Sequence, residues 1–286
     1  PLEQIWENRP SLPANPVEIQ PLEYAGETLA SKVVRIRKSL RELHADGMLV
    51  SALDDIAWTL NLRGTDVHCN PVFVSYLLIE SDKVSLFVDD NKLSPEVKQY
   101  LQDNQVSLYN YNKVEKCLES YSEYNILLDG DETSYYLWKT VKCQEIVAAA
   151  SPIPAMKAVK NKAEIEGYRN AMLKDGVAMV KFLKWLKPAV EAGGQTEISI
   201  DEKLTSLRAE QKLFRDISFD TIAGYAQHGA IVHYEATPET DVVLKPEGLI
   251  LIDSGAQYQD GTTDITRTIA LGAVSEEMKH IYTLVL

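Results

Sequence analysis

Short apolar segments alternate with segments of helical periodicity between residues 29 and 150, and this alternation limits the fold more than any other feature of the sequence. Segments such as MLVSA, FVSYLLI, VSLFV and YNILLD have the length and composition of strands. The segments that separate them, such as DDIAWTLNL and SPEVKQYLQ, fit short helices. The pattern predicts an α/β domain over residues 29–150 with a largely covered sheet.

The residues before this domain have a different character. Residues 1–28 contain five prolines and show little periodicity, which predicts an extended, proline-rich linker. A helix is predicted from Leu29 onward, because Val33, Ile36, Leu40 and Leu43 recur on one helical face.

The sequence predicts a second domain over residues 151–286. It opens with a long helix that ends near Pro188, followed by a helix over residues 198–211. The predicted apolar face of the long helix consists of Ile165, Tyr168, Met172, Val180, Leu183 and Trp185. Strand-like segments follow, among them ISFDTIAGY, GAIVHY, GLILIDSGAQY and TTDITRTIALG. Helices followed by a series of strands are typical of an α+β fold.

Composition and motif content argue against several classes of function. The formal net charge of −13 argues against a nucleic-acid partner, because phosphate binding requires a basic face. No apolar run approaches the roughly 18 residues of a membrane-spanning helix. The widely spaced Cys69, Cys117 and Cys143 suit free thiols in a reducing compartment. GxSxG, glycine-rich phosphate-loop and HExxH motifs are absent from the sequence, so serine hydrolases, nucleotide-binding proteins and zincins have no support.

Two aspartates flank a predicted hairpin near the end of the sequence. Asp253 follows the apolar segment LILI, Asp264 lies in TTDIT, and the pair Asp260-Gly261 between them is a hairpin-turn signal. Folding at this turn places Asp253 and Asp264 on neighbouring antiparallel strands, where their carboxylates can meet. Two such carboxylates repel each other unless one takes a proton or a cation lies between them. A divalent metal ion is the natural solution, because hard cations prefer oxygen ligands.

Purely structural roles are also open to these residues. Asp253 can cap the end of its strand, and Asp264 can pair with Arg267. We expect His233 at the end of a strand formed by GAIVHY, where it has either a structural role or a place beside the Asp253 strand. His228, in the loop AGYAQHGA, is a weaker candidate for a functional residue.

Five motifs, taken together, resemble those of a known family. They are NLRGTDVHCNPVF, AVKNKAEIEGYRNA, SFDTIAGY, GAIVHY and LIDSGAQYQDGTTDITRT. Together they resemble aminopeptidase P, the Xaa-Pro aminopeptidase, and most closely its three-domain cytosolic type. That family belongs to the pita-bread metallopeptidases, with creatinase, prolidase and methionine aminopeptidase. The resemblance implies a creatinase N-terminal-like α/β middle domain followed by the first part of an α+β pita-bread catalytic domain.

The resemblance also implies a function. The family comprises metal-dependent aminopeptidases that release the N-terminal residue from peptides with proline in the second position. Asp253 and Asp264 match two ligands of its dinuclear site, which usually holds two Mn²⁺ ions, with Asp264 bridging both. His233 matches a catalytic histidine that contacts the bound peptide, and Phe219 matches an aromatic position of the substrate pocket. A cytoplasmic location and a homodimer are further expectations.

The family pattern extends beyond this sequence at both ends. The family's first domain, its ligand histidine and its two ligand glutamates have no counterpart here, so we expect a truncated chain that is inactive by itself. Two alternatives share the fold. One is a prolidase-type dipeptidase, although residues 63–66 resemble the aminopeptidase more. The other is a non-catalytic pita-bread binding module, against which the joint presence of Asp253, Asp264 and His233 argues.

Overall fold

The chain folds as two compact units, Pro1–Ala163 and Glu164–Leu286, in a computed structural model that describes residues 5–286. The part of the predicted linker that comprises residues 1–4 lies outside the described residues. The division into units falls later in the chain than the predicted division between residues 150 and 151. It does so because helix α7 (Ile153–Ala158) contributes the fully buried Ile153 to the core of the first unit.

The first unit is built on a mixed sheet of six strands in the order β6-β5-β4-β2-β7-β8. Neighbours are parallel at β2–β7, β5–β6 and β7–β8, and antiparallel at β2–β4 and β4–β5, while β1 pairs separately with β3. The strands are β1 (Glu18–Ile19), β2 (Gly47–Val50), β3 (Leu62–Arg63), β4 (Ser75–Glu80), β5 (Val84–Val88), β6 (Val106–Asn110), β7 (Tyr121–Leu128) and β8 (Cys143–Ala148).

Helices cover this sheet on both faces. Along β2, Met48 and Val50 belong to one buried cluster and Leu49 belongs to another, as the alternation of side chains along a strand requires. The α/β prediction for this domain is therefore confirmed. The helices are α1 (Leu22–Ala25), α2 (Leu29–Glu42), α3 (Leu53–Leu60), α4 (Pro95–Asp103), α5 (Val114–Leu118), α6 (Tyr135–Thr140) and α7.

The predicted linker and the segment 63–66 both have defined contacts in the first unit. Within the predicted linker, Val17 is buried in the core and Glu18–Ile19 pairs with Leu62–Arg63. In the segment 63–66, the Asp66 carboxylate accepts hydrogen bonds from the Lys92 ammonium group at 2.5 Å and from the Val74 amide at 2.7 Å. These contacts give Asp66 a structural role in the fold.

The second unit contains two antiparallel three-stranded sheets, in the orders β10-β11-β14 and β13-β12-β9. Apolar residues of its first two helices pack against β10, β11 and β14, and this cluster is the main core of the unit. The combination is α+β, as predicted. The elements are α8 (Lys162–Ala192), α9 (Glu197–Ala209), β9 (Phe214–Ile217), β10 (Ile222–Tyr225), β11 (Leu249–Ser254), β12 (Ala256–Tyr258), β13 (Gly261–Thr262), β14 (Ile265–Ala270) and α10 (Glu276–Val285).

Helix α8 differs from its prediction in both its face and its end. Ile165, Tyr168, Met172 and Val180 were predicted on the apolar face but are between 39% and 66% exposed, whereas Leu183 and Trp185 do pack against the core. Its buried face consists of Gly167, Ala171, Asp175, Ala178, Met179, Phe182, Leu186 and Val190. The helix also continues beyond Pro188 to Ala192. Among the described residues, no helix is long and apolar enough to span a membrane.

Candidate metal centre

Asp253 lies on the open face of strand β11. Ile250, Ile252 and Ser254 are buried, and the two isoleucines pack into the helix-lined core. Leu249, Leu251 and Asp253 alternate with them and are only partly buried. The Asp253 carboxylate therefore projects from the face of β11 opposite to the core.

The chain returns to Asp253 through a short hairpin and strand β14. Tyr258 pairs with Gly261, so the two turn residues are Gln259 and Asp260, one position earlier than the predicted turn. Asp260 is a turn residue, as expected, and its carboxylate accepts a hydrogen bond from the Lys174 ammonium group at 2.6 Å. This salt bridge connects the hairpin to helix α8.

Asp264 immediately precedes β14, and the structure brings its carboxyl group to that of Asp253. In the register of β11 and β14, Asp253 pairs with Thr266. The Thr266 hydroxyl donates a hydrogen bond to Asp253 Oδ1 at 2.7 Å. Desolvation raises the pKa of Asp264, and the charge of the nearby Asp253 carboxylate raises it further. The expectation that the two carboxylates meet is confirmed.

The alternative partner for Asp264 is not used. Within residues 5–286, Arg267 forms no ion pair with Asp264, and its Nη1 atom donates a hydrogen bond to the Thr266 carbonyl at 2.7 Å. Among the residues that the structure describes, the Asp253–Asp264 pair thus presents hard oxygen donors with no ion pair to a cationic side chain. Such a donor set fits a divalent metal ion.

His233 does not lie on a strand, and the prediction of a strand over GAIVHY is wrong. The segment instead forms a 3₁₀ helix, Ala226–Ala230, and a turn, and His233 is exposed with a φ of 55°. β11 pairs with β10 on one side and β14 on the other, so no edge remains for a further strand. His233 therefore does not reach the Asp253 strand by strand pairing.

Phe219 lies in a bend between β9 and β10 and is partly exposed. The neighbouring Ser218 hydroxyl donates a hydrogen bond to the Thr263 carbonyl at 2.8 Å. This contact joins the Phe219 bend to the residue that precedes Asp264.

Glu197, the first residue of α9, was not predicted as a functional residue. Its side chain is completely buried, and it accepts hydrogen bonds from the Tyr225 amide at 2.7 Å and the Tyr234 hydroxyl at 2.8 Å. His228, the weaker candidate, lies with its Nδ1 atom 3.0 Å from both carboxylate oxygens. Thr196 is a typical helix N-cap residue and could have indicated where α9 begins. The apolar pattern does not indicate that Glu197, the next residue, is buried.

Two family models together match almost the whole sequence. The creatinase/prolidase N-terminal domain matches residues 8–164, and metallopeptidase family M24 matches residues 166–286. The chain belongs to the creatinase/prolidase group of M24 metallopeptidases. The predicted fold class, a creatinase N-terminal-like domain followed by part of a pita-bread domain, is thereby confirmed.

Individual relatives of this M24 chain agree with the family assignment. It is 38% identical to a probable Xaa-Pro aminopeptidase P of Arthroderma benhamiae, with 100% of the chain and 43% of the relative aligned. It is also 38% identical to Xaa-Pro aminopeptidase ApepP of Drosophila melanogaster, with 100% of the chain and 48% of the relative aligned. The chain therefore spans less than half the length of these relatives.

One solved structure is similar to this chain in both fold and sequence. The X-prolyl aminopeptidase of Caenorhabditis elegans superposes with a TM-score of 0.90 and 32% identity, over 96% of this chain and 46% of the other. That protein is described as a cytosolic enzyme with a di-nuclear active site. This chain thus has a solved relative of closely similar fold.

Proposed function

We propose that this chain contributes metal ligands and substrate contacts to an Xaa-Pro aminopeptidase, which releases the N-terminal residue from peptides with proline in the second position. The meeting of Asp253 and Asp264 on the open face of β11 is the observation that carries this proposal. The names of the two relatives at 38% identity support the substrate class.

Asp253 and Asp264 are the residues that would hold the metal, and we propose two Mn²⁺ ions as that metal. Their oxygen donors suit Mn²⁺, and the mutual repulsion that raises the pKa of Asp264 is relieved when a cation lies between them. A bound pair of divalent ions supplies Lewis acidity and an activated water nucleophile. Thr266 orients Asp253 through its hydroxyl group.

His233 and Phe219 supply the proposed substrate contacts. The exposed His233 imidazole is able to form a hydrogen bond with a bound peptide. The neighbouring Ile231 and Val232 are 52% and 83% exposed, which places apolar surface beside this histidine. Phe219 offers an aromatic surface of the kind that a proline ring packs against.

We expect the 286-residue chain to be inactive by itself. Two carboxylates fill only part of the coordination shell of a divalent ion, and the relatives are more than twice as long as the matched region. The proposal further includes a cytoplasmic location, as for the cytosolic relative, and a homodimer, which light scattering will test.

Paramagnetic broadening by Mn²⁺ tests the metal site without requiring activity. In ¹⁵N-labelled chain, substoichiometric Mn²⁺ should broaden the amide signals around Asp253, Asp264 and Thr266. Asp253→Asn and Asp264→Asn should abolish this broadening, whereas Asp216→Asn, an exposed aspartate of the same unit, should not. Broadening that survives both site substitutions would contradict the proposal.

A hydrolysis assay tests the proposed substrate class. A polypeptide of the relatives' length that contains this sequence should cleave Ala-Pro-Ala with Mn²⁺ and leave Ala-Ala-Ala intact. Asp264→Asn in the same polypeptide should abolish turnover. Equal cleavage of both peptides would remove the Xaa-Pro assignment.

A further inference from the structure

The buried carboxylate of Glu197 is surrounded by hydrogen-bond donors. The Tyr225 amide donates to Oε1 at 2.7 Å, the Tyr234 hydroxyl donates to Oε2 at 2.8 Å, and His228 Nδ1 lies 3.0 Å from both oxygens. Within the described part of the chain, Glu197 has no lysine or arginine partner. Because a buried carboxylate is costly without compensation, these three donors are needed to keep Glu197 in place.

The three contacts fall at the beginning, the middle and the end of one segment, residues 225–234. The His228 ring also packs on the Tyr234 ring, with 4.5 Å between centroids. His233 directly precedes the buried Tyr234 and has a φ of 55°, in the left-handed region. A non-glycine residue in this region is strained and keeps the conformation only where its surroundings impose it. Tyr234, which is hydrogen-bonded to Glu197, is the neighbouring residue that can impose this conformation on His233.

The same segment lies on the face of β11 that carries Asp253. Gly224 pairs with Leu251 in the β10–β11 register. A methyl group added to Gly229 would lie 3.6 Å from Leu251 Cβ, so the 3₁₀ helix covers the Leu251 side of the strand. Leu251 and Asp253 are two residues apart and share one face.

We propose that Glu197 is the positioning residue of segment 225–234. Its carboxylate fixes His228 as the Nδ1–H tautomer and, through Tyr234, holds His233 in its left-handed conformation on the Asp253 side of β11. A carboxylate only accepts hydrogen bonds, so His228 Nδ1 must donate. The Nε2 atom of His228, which has no hydrogen-bond partner within residues 5–286, is then left as an acceptor. The role of His233 in peptide binding rests on the proposed function, whereas its positioning does not.

Glu197→Gln tests this assignment, because it replaces one of two acceptors by a donor. The Tyr225 amide can only donate, so the glutamine oxygen should face it and the glutamine NH₂ group should face His228 and Tyr234. Tyr234 can accept by rotating its hydroxyl hydrogen, but His228 can accept only as the Nε2–H tautomer. Long-range ¹H–¹⁵N spectra at about pH 8.5, above the usual histidine pKa, should show His228 as Nδ1–H in the native chain and as Nε2–H in the variant. The His233 amide and ring signals should shift as well.

Two further variants make the result decisive. Glu202→Gln, at an exposed position of the same helix, should leave both histidines unchanged. Tyr234→Phe removes only the hydroxyl group, so it should shift the His233 signals while His228 keeps the Nδ1–H tautomer. If Glu197→Gln does not fold by circular dichroism, the native tautomer and Tyr234→Phe decide the question.

An Nε2–H tautomer of His228 in the native chain would overturn the proposal. Unchanged His233 signals in Tyr234→Phe and in folded Glu197→Gln would overturn it equally. Absence of Mn²⁺ broadening would count against the proposed metal function and would leave these tautomer and shift results intact, so the two failures are distinguishable.

Discussion

The carboxyl group of Asp264 lies close enough to that of Asp253 for the charge of Asp253 to add to desolvation in raising the pKa of Asp264. Asp253 lies on the open face of strand β11, away from the apolar core, so the packing of the core does not depend on this pair of carboxyl groups. An arrangement that is unfavourable in the absence of a cation and favourable in its presence is the electrostatic signature of a metal site.

Asp264→Asn should make the chain more stable at pH 7 and remove part of its pH dependence. The pKa of Asp264 is raised in the folded state, so the folded state binds this proton more tightly than the unfolded state. The free energy of unfolding of the native chain should therefore rise as the pH falls through that pKa, and the asparagine variant lacks this term. Urea unfolding at several pH values should show the two proteins converging below about pH 4. A native chain that is more stable than the variant at pH 7 would contradict this prediction.

Thr266→Val should weaken Mn²⁺ binding by about 10–100-fold, the usual effect of removing a residue that orients a metal ligand. The Thr266 hydroxyl donates to Asp253 Oδ1 at 2.7 Å, and valine keeps the shape of the side chain but loses the donor. Free Mn²⁺ measured by electron paramagnetic resonance gives the dissociation constant. Thr266→Ser retains the hydroxyl and should bind as the native chain does. Equal affinities for the valine and serine variants would show that the hydroxyl does not orient Asp253.

Asp175→Asn should destabilise the second unit by about 3–5 kcal/mol, the cost of leaving a buried charge without its partner. Arg208 donates to Asp175 through Nε at 2.7 Å and Nη2 at 3.0 Å, and both side chains are completely buried. Lys181→Ala removes the exposed Lys181–Glu210 pair and should cost less than about 1 kcal/mol. Urea unfolding of both variants provides the comparison, and similar losses would show that burial does not set the cost.

The strands of the first unit were largely predictable because burial on both faces leaves a continuous apolar signal. Residues 47–50 of β2 are all buried, and the sequence MLVSA indicated this strand directly. Strand β6 gave no such signal, because it lies at the edge of the sheet and its last two residues are exposed. Edge strands bury fewer side chains, so their sequences are less constrained.

The candidate site was predictable only where local pattern and tertiary structure agree. Asp253 and Asp264 flank a two-residue hairpin, and their meeting follows from strand pairing. GAIVHY has the composition of a strand, but its local preference is overridden because β11 is already paired on both sides. The burial of Glu197 depends on donors that arrive from residues 225–234, and no local pattern encodes such a contact.

The apolar pattern did not predict the buried face of α8, because that face contains small residues such as Gly167, Ala171 and Ala178. A pair of glycine substitutions will test this explanation. A methyl group on Gly167 would lie 2.1 Å from the backbone oxygen of Asp260, whereas nothing lies within 4 Å of one on Gly176. Gly176→Ala should therefore stabilise the chain by about 1 kcal/mol through helix propensity. Gly167→Ala should destabilise it by about 1–3 kcal/mol, because the hairpin backbone must move to admit the methyl group.

This displacement should also reach the candidate metal centre, because the hairpin leads directly to Asp264 and is held to α8 by the Lys174–Asp260 salt bridge. We expect weaker Mn²⁺ broadening at Asp264 in Gly167→Ala and native broadening in Gly176→Ala. Thermal unfolding followed by circular dichroism gives the stability comparison on the same samples. Equal stabilities for the two variants would show that the contact between α8 and the hairpin has room for a methyl group. The burial of this helix face would then not depend on small residues.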